Sequence, residues 1–400
     1  MIPDIKIQDF DYPLPEGRIA KYPLPERDSS KLLVYKDGSC SDHTFKDIPS
    51  QLPAGALMVF NDTKVVPARL FFRKESGARI EIFCLQPVLP SEYVSAFAAT
   101  QKCSWECVIG NSKRWKGDSL LYDTTDPELS AVCLTARLVD KEGRTGTVEF
   151  SWQGGQPFSA ILEMCGRIPI PPYLGRETES IDLERYQTTY ARIRGSVAAP
   201  TAGLHFTPEV LQRISERGIE KETVCLHVGA GTFLPVKSER ISGHPMHREP
   251  FTVSRKLLVE LSDASRPVVA VGTTSIRTLE SLYYAGASCI EHGSPSEIAQ
   301  WDPYTRDWSY NTREALQALV SWLDSEGLQE FTLGTSIIIV PGFRFRIADA
   351  LVTNFHQPQS TLLLLVSAFV AGDWRTIYSH ALDGGYRFLS YGDSSLLFRR

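Results

Sequence analysis

Three histidines stand in short segments where a side chain can take part in chemistry. His205 lies in TAGLHFT, His356 in TNFHQPQST, and His227 at the end of ETVCLH. An imidazole gains or loses its proton near neutral pH, so each of the three can serve as a general base or acid. A half-buried, hydrogen-bonded ring is the alternative for all three. His227 alternates with apolar residues, so an ordinary sheet position is the stronger alternative there.

Loops rich in hydroxyl and backbone N–H groups accompany these histidines. HVGAGTF follows a predicted strand, VGTTSIRT joins a strand to a helix, and the small residues of SVAAPTAGLH let the backbone approach a ligand closely. In open α/β sheets, ligands bind at the carboxyl ends of strands, where such loops meet. A Gly-Thr-Thr turn alone is often only a tight connection. With TNFHQPQST, four such loops in one chain predict a shared binding site.

Two further motifs carry polar groups. NDTKVVPAR places Asn61, Asp62 and Arg69 on a loop, with an Asx turn and a surface ion pair as the plain alternatives. HPMHRE contains potential metal ligands, but its proline blocks a helix and the HExxH order of zinc proteases is absent. The eight cysteines are scattered and form no CxxC pair. We therefore expect no metal site.

The composition is that of a globular protein with more than one domain. The chain has 400 residues, 42% of them hydrophobic and 22% charged, which is too long for one simple core. The net charge of -5 disfavours a general polyanion binder, because non-specific nucleic-acid affinity depends on phosphate neutralisation. The apolar run at 362–366 is too short to span a bilayer, and the N-terminus lacks the basic start of a signal peptide. We expect a cytoplasmic protein without a membrane segment.

The strand and helix patterns divide the chain into two regions. Between residues 70 and 155, segments with period-2 alternation such as TGTVEFSW predict an inserted small β-barrel domain. Strands alternating with helices in 1–69 and 156–400 predict an α/β catalytic domain with a largely parallel sheet, so the fold class is mixed α/β. The helix SIRTLESLYYAG should end at Gly286. We expect 287–334 to be an extra insertion that carries an amphipathic helix.

Longer motifs resemble those of a known family. GRIAKYPLPERDSSKLLV, NDTKVVPARL, RIPIPPYL, ERYQTTYA, GSVAAPTAGLHFT, HVGAGTFLPV, HPMHRE, VGTTSIRTLES, DALVTNFHQPQSTLLLLVSAF and YRFLSYGD occur in the order seen in the S-adenosylmethionine:tRNA ribosyltransferase-isomerases of queuosine biosynthesis. The resemblance implies an α/β catalytic domain interrupted by a β-barrel. It also implies transfer of the ribosyl part of S-adenosylmethionine, with isomerisation, to 7-aminomethyl-7-deazaguanine at the wobble position of tRNA. Epoxyqueuosine forms, and adenine and methionine leave.

Such a transfer needs a base beside the sulfonium and an acid or hydrogen bond for the departing adenine. The catalytic candidates are His205, His227, His356 and Asp62. Asp62 and Asn61 also suit reading of the deazaguanine edge, Arg277 suits the methionine carboxylate, and Tyr391 with Asp393 suits the sulfonium. The candidate substrate-binding residues are Asn61, Arg69, Gly203, Gly229, Gly231, Thr232, Thr273, Thr274, Ser275, Arg277, Asn354, Tyr391 and Asp393.

The implied partners are the anticodon loop of tRNA and S-adenosylmethionine, which is a co-substrate, so no separate cofactor is expected. A monomer is expected. Two alternatives remain open: a paralogue that cleaves S-adenosylmethionine for a different acceptor, and a non-catalytic RNA-binding relative. The segment 287–334 is longer than the link expected for the family, which favours keeping the first of these alternatives open.

Overall fold

A computed structural model describes residues 2–227, 236, 238–263 and 265–400. The strands are β1 (Lys31–Lys36), β2 (Ser39–Thr44), β3 (Leu57–Asn61), β4 (Thr63–Val65), β5 (Arg69–Arg73), β6 (Arg79–Leu89), β7 (Lys102–Ile109), β8 (Leu120–Tyr122), β9 (Thr135–Glu142), β10 (Thr145–Ser151), β11 (Ile193–Ser196), β12 (Glu220–Leu226), β13 (Glu249–Ser254), β14 (Val268–Val271), β15 (Glu330–Thr335), β16 (Ala350–Asn354) and β17 (Ser394–Phe398). The helices are α1 (Ile48–Gln51), α2 (Tyr93–Ala98), α3 (Pro127–Ala131), α4 (Phe158–Cys165), α5 (Ser180–Arg185), α6 (Pro208–Glu216), α7 (Arg255–Leu261), α8 (Thr273–His292), α9 (Asp302–Thr305), α10 (Thr312–Glu326), α11 (Thr361–Phe369) and α12 (Trp374–Asp383).

The largest sheet has nine strands in the order β15-β13-β12-β3-β14-β16-β17-β1-β2. Its centre, from β12 through β3 and β14 to β16, is parallel, and every residue of β3 and β16 is buried. Strands that are buried on both faces need largely apolar sequence, which LMVFN and ALVTN supply. The pairs β15-β13, β13-β12, β16-β17 and β1-β2 are antiparallel. The mixed α/β class is confirmed, but the expected parallel arrangement is correct mainly for the centre of the sheet.

Six strands close a separate barrel in the order β10-β7-β6-β5-β8-β9. Alternate residues of β10 are buried, as the period-2 pattern of TGTVEFS predicts. Large side chains fill the barrel interior, among them Phe72, Trp105 and Phe150. The predicted small β-barrel is therefore confirmed. Its strands run from Arg69 to Ser151, and the domain limits at 70 and 155 stay a prediction.

Helix α8 does not end at Gly286. It continues to His292 and is followed by Gly293 in the left-handed region, with a φ of 82°. A Cβ on Gly286 would stand 2.1 Å from the carbonyl oxygen of Ala315 in α10. This glycine therefore lets two helices pack closely. The predicted helix end was wrong because a glycine that ends a helix and a glycine that allows close helix packing both depend on the missing Cβ, so the residue type alone does not distinguish them. The predicted insertion 287–334 begins inside α8 and ends inside β15.

Among the described helices, none is long and apolar enough by itself to cross a bilayer. Helices α11 and α12 reach the required length only as a pair, and a bend of 109° separates them. Their apolar side chains, such as Leu364 and Ile377, are buried in the main core.

Candidate active site

An open pocket lies where β14 and β16 end. The space inside it, part of which is open to solvent, is about 740 Å³. None of the described side chains that line it is a carboxylate, a lysine or an arginine. The lining residues are Tyr173, Tyr186, Ala198, Ala199, Pro200, Thr201, Ala202, Gly272, Thr273, Thr274, Thr353, Asn354, Phe355, His356, Gln357, Leu362, Leu389 and Ser390.

The N-terminus of α8 forms one wall of this first pocket. Gly272, Thr273 and Thr274 line it, and Gly272 has a φ of 93°, a conformation that suits glycine. The N-cap residue, Gly272, has no side chain that could cap this end of the helix. The first-turn N–H groups of a helix have no partner within the helix, and the dipole is positive at this end. The wall therefore offers hydrogen-bond donors to a group that carries negative charge.

Aromatic rings and a small-residue segment form other parts of the wall. Residues 198–202 bring backbone and small side chains to the pocket, and Tyr173 and Tyr186 bring rings. Burial raises the pKa of Tyr173 to about 12 and also raises the pKa of Tyr186, so both phenols are neutral at pH 7. The Tyr173 hydroxyl lies 2.5 Å from the Ser390 hydroxyl. Such rings suit contact with a nucleobase or a cation.

His356 lies just after β16 and lines the pocket. Its Nε2 is 2.9 Å from the Thr353 hydroxyl, and its backbone N–H donates to the Tyr378 hydroxyl at 3.0 Å. The Tyr12 hydroxyl donates to its carbonyl oxygen at 2.5 Å. Burial lowers the pKa of His356 to about 4. At pH 7 the imidazole is therefore neutral and can accept a proton.

A row of hydrogen bonds runs from the first pocket to His205. The Thr201 hydroxyl donates to Oδ1 of Asn354 at 2.8 Å, and Nδ2 of Asn354 lies 3.4 Å from Nε2 of His205. On its other side, Nδ1 of His205 lies 2.9 Å from the Ser30 hydroxyl, which donates at 3.4 Å to the carbonyl of Arg27. Donors and acceptors alternate along this row when His205 is neutral and carries its proton on Nδ1.

The environment of His205 favours the same neutral form. Burial lowers its pKa to about 4, a hydrogen bond with the Arg27 backbone opposes this effect, and the positive charges of Arg387 and Arg27 add to it. A proton on Nε2 would face the amide N–H₂ of Asn354, where no acceptor is offered. Asn354, and not His205, lines the first pocket. His205 lines a second pocket of about 290 Å³, and Ser390 lines both.

His227 lies outside both pockets. Its ring stacks on Tyr93 with centroids 4.5 Å apart and planes inclined by 12°, and Nε2 lies 3.6 Å from Sγ of Cys225. A Cβ on Gly195 would stand 2.5 Å from its Nδ1. Burial lowers the pKa of His227 to about 4. Its Nδ1 is buried without a partner among the described residues.

Asn61 and Asp62 lie at the end of β3 and differ in whether a hydrogen-bonding atom of the side chain lacks a described partner. The Asn61 amide donates to the carbonyl of Leu226 at 3.0 Å, accepts from its N–H at 3.1 Å, and lies 3.4 Å from the Thr274 hydroxyl. Asp62 forms an ion pair with Arg192 at 3.0 Å, yet its Oδ1 is buried without a partner among the described residues. Asp62 therefore retains an acceptor for a ligand, whereas Asn61 holds neighbouring elements together.

Three predicted binding residues make structural contacts away from the first pocket. The Ser275 hydroxyl donates to the carbonyl of Val271 at 2.7 Å. Arg277 forms a buried ion pair with Glu249. Asp393 accepts two backbone N–H groups at 3.0 and 2.8 Å. Arg277 thus already holds a carboxylate of the protein, while its Nη2 is buried without a partner among the described residues, and Asp393 already accepts two N–H groups of the protein.

Three more predicted residues do not line the first pocket. A Cβ on Gly203 would stand 2.0 Å from the Tyr190 hydroxyl, so this glycine allows close packing. Arg69 belongs to the barrel, where its Nε lies 2.5 Å from a carboxylate oxygen of Glu81. Tyr391 lines the second pocket and donates to a buried carboxylate at 2.7 Å.

Other groups in the first pocket were missed by sequence reasoning. They are Tyr173, Thr201, Thr353 and Ser390. Each stands in one of the quoted motifs, close to residues that carry the resemblance, so the motif was the available signal. Gly229, Gly231 and Thr232 lie outside the described residues. Within the described ranges, no cluster of three or more His, Cys, Asp or Glu side chains is arranged to hold a metal ion.

A family model and curated relatives match nearly the whole chain. Residues 7–397 match the model of a family described as queuosine biosynthesis protein. A protein from Pelobacter propionicus named S-adenosylmethionine:tRNA ribosyltransferase-isomerase is 40% identical over 397 residues, which cover 98% of this chain and 99% of that protein. A protein of the same name from Anaeromyxobacter sp. is 38% identical over 402 residues, 99% of each. A crystal structure of an S-adenosylmethionine tRNA ribosyltransferase from Thermotoga maritima matches with a TM-score of 0.46 at 28% identity, covering 98% of this chain and 100% of that one.

Proposed function

The chain belongs to the queuosine biosynthesis protein family, and from that premise we propose that its first pocket binds S-adenosylmethionine. Its activity is that of an S-adenosylmethionine:tRNA ribosyltransferase-isomerase. The acceptor we propose is the aminomethyl group of 7-aminomethyl-7-deazaguanine at the wobble position of tRNA, with adenine and methionine as the leaving products. The observation that supports the pocket is the meeting of three of the four predicted loops in one cavity.

The wall at the N-terminus of α8 suits the departing adenine. When the glycosidic bond breaks, negative charge develops on the purine nitrogen. The dipole of α8 and the hydroxyls of Thr273 and Thr274 stabilise charge of that sign. The same wall would repel a sulfonium, so we place the sulfur near the rings of Tyr173 and Tyr186.

His356 is the group we assign as the base. It lines the pocket, it is neutral at pH 7, and the Thr353 hydroxyl at 2.9 Å holds one of its ring nitrogens. A neutral imidazole accepts the proton from the ribose carbon bonded to sulfur, and it stays imidazolium until it passes that proton on, for which the departing adenine anion is the acceptor within the reaction. Burial opposes the imidazolium, so the proton stays on the ring only briefly.

Asn354 is the positioned polar group of the pocket, and His205 acts through it. Thr201 fixes its carbonyl oxygen and His205 fixes its amide nitrogen, so the amide plane cannot rotate without losing a hydrogen bond. Such positioning lowers the cost of orienting a substrate. In this assignment His205 is a positioning residue and does not itself touch the nucleoside.

Adenine release provides the test of the proposed function. Purified protein is incubated with S-adenosylmethionine and with tRNA that carries deazaguanine, unmodified tRNA, or no tRNA, and adenine is followed by chromatography. We expect release only with the deazaguanine tRNA. Release that does not depend on this tRNA would assign another acceptor, and tRNA binding without any release would leave a non-catalytic RNA-binding protein.

The variant His356→Gln tests the assigned base. Gln keeps hydrogen-bonding capacity but cannot accept a proton, so we expect turnover to fall by about 10² to 10⁴. The matched control is His292→Ala, because the His292 side chain is 70% exposed at the far end of α8. Turnover of His356→Gln within threefold of wild type, with an unchanged melting temperature, would remove His356 from the catalytic role.

A further inference from the structure

Two arginines, Arg27 and Arg185, line the second pocket, and the neutral ring of His205 lies beside them. No described carboxylate forms a salt bridge with either arginine. Arg27 donates to the carbonyls of Leu204 and Glu184 at 3.1 and 2.9 Å, and Arg185 donates only to backbone carbonyls. Carbonyl dipoles satisfy hydrogen bonds but do not neutralise a guanidinium charge.

A third arginine stands close to this pocket. Arg387 donates through Nη2 to the carbonyls of Tyr22 and Tyr391 at 2.7 and 2.8 Å. Its Nη1 and the Nε of Arg185 are buried without a partner among the described residues. A buried donor that lacks an acceptor destabilises the protein unless a ligand supplies one. Two such donors beside one small pocket indicate a missing acceptor.

The acids near these arginines do not cancel their charges. Burial lowers the pKa of Arg27, and the neighbouring charge of Arg185 lowers it further, while Glu184 raises it. Burial also lowers the pKa of Arg387, and Asp393 only partly offsets that effect. Asp182, another acid close by, is held by Arg176 through two hydrogen bonds of 2.8 Å. The pocket is therefore cationic.

We propose that the second pocket binds an oxyanion of a substrate, either the carboxylate of the methionine part of S-adenosylmethionine or a phosphate of the bound tRNA. This proposal rests on the proposed function. Ser390 lines both pockets, and Asn354 joins the first pocket to His205 in the second. A substrate that fills the first pocket therefore has its anionic end within reach of the second. Guanidinium groups bind carboxylate and phosphate oxygens through paired hydrogen bonds.

The variant Arg185→Gln tests the oxyanion site, with adenine release and tRNA binding as separate readouts. If the oxyanion is the methionine carboxylate, we expect the KM for S-adenosylmethionine to rise about tenfold. The inhibition constant of decarboxylated S-adenosylmethionine should then stay unchanged. If the oxyanion is a phosphate, we expect the Kd for tRNA to rise and the slope of log Kd against log salt to fall by about one.

Arg255→Gln is the matched control, since it removes the same charge from an exposed ion pair with Asp324. Arg185→Lys retains the charge but loses the Nε–H, and an effect between wild type and Arg185→Gln is expected. Inorganic phosphate at constant ionic strength provides a test on the wild-type protein, because it should compete for the site and raise the KM or the Kd.

The proposal is overturned if phosphate does not compete and if the KM, the inhibition constant and the Kd of a folded Arg185 variant all stay within twofold of wild type. Failure of the proposed function gives a different result, because wild-type protein then releases no adenine at all. A wild-type enzyme that is active and insensitive to every change at Arg185 thus refutes only the oxyanion site.

Discussion

The variant Asn354→Asp replaces a hydrogen-bond donor, the amide N–H₂, by an acceptor, a carboxylate oxygen, in the row that joins the two pockets. The side chain keeps almost the same shape. In wild type, the Asn354 amide faces Nε2 of His205 at 3.4 Å, and the pKa of His205 is about 4. A carboxylate oxygen at that distance attracts an imidazolium by about 5 kcal/mol at an effective dielectric constant near 20. That energy corresponds to about 3.5 pKa units. Burial of the new carboxylate offsets part of it, so we expect the pKa of His205 to rise above its ordinary value of about 6.5.

The assay is a proton NMR titration of the histidine ring hydrogens, with His205→Gln used to identify the signal. In wild type the His205 signal should not shift between pH 8 and pH 5.5, and in Asn354→Asp it should titrate within that range. Asn311→Asp is the control, since Asn311 is an exposed residue that precedes α10. The Thr201 contact survives, because the substituted carboxylate still accepts the Thr201 hydrogen bond.

The same variant carries a consequence for stability with a definite sign. The folded pKa of His205 in wild type lies below the unfolded value, so the stability it contributes is present above pH 6.5 and is lost as pH falls towards 4. A raised folded pKa reverses the sign, so Asn354→Asp should lose less stability than wild type over this interval. A His205 signal that titrates alike in both proteins would refute the assignment of the Nδ1 proton and the donor order derived from it.

Three further predictions concern packing, an ion pair and acid stability. Gly286→Ala should lower the free energy of unfolding, measured by urea titration, by about 1 to 3 kcal/mol, because the new Cβ meets the backbone of α10 at 2.1 Å. The control Gly17→Ala should leave the free energy of unfolding unchanged, because no atom lies within 4 Å of the added Cβ. Arg277→Met should cost about 3 kcal/mol or more, because it leaves Glu249 buried without its partner, and a cost below 1 kcal/mol would contradict a structural role for the pair. His205, His227 and His356 each have a pKa lowered by burial to about 4, so calorimetry should show stability falling from pH 6.5 to pH 4, by at most about 3 kcal/mol for each ring. His356→Gln should make that fall less steep.

The loops of the site could be predicted from sequence because parallel strands end at the same edge of a sheet. Thr273, Asn354 and His356 follow or end strands of the central sheet, and they line one pocket. Their grouping needed only the strand pattern and a rule about strand ends. Ser30 could not be found in this way. It meets His205 across 175 residues, through the packing of distant segments that no local pattern encodes.

Glycine and arginine show a second limit of sequence reasoning. Gly286 and Gly293 both lack a Cβ and lie in or just after the same helix, but Gly286 allows helix packing and Gly293 ends the helix. Arg277 and Arg185 are both near strand or helix ends, yet only Arg277 has a carboxylate partner among the described residues. The residue type sets what each side chain can do, while the tertiary neighbours decide whether that capacity is already used.

The arginines lie in the second pocket, and the described lining of the first pocket carries no carboxylate. This difference helps to explain how a base with a pKa of about 4 can remove a carbon-bound proton. His356 is a weak base, so the proton it removes must be acidic. A sulfonium acidifies the adjacent carbon most when no anion neutralises it. The described lining of the first pocket contains no carboxylate, and if the methionine carboxylate is held by the arginines of the second pocket, the sulfonium is left without a counter-charge. Arg185→Gln should then lower kcat as well as raise KM, because a carboxylate released from that pocket is free to fold back on the sulfur.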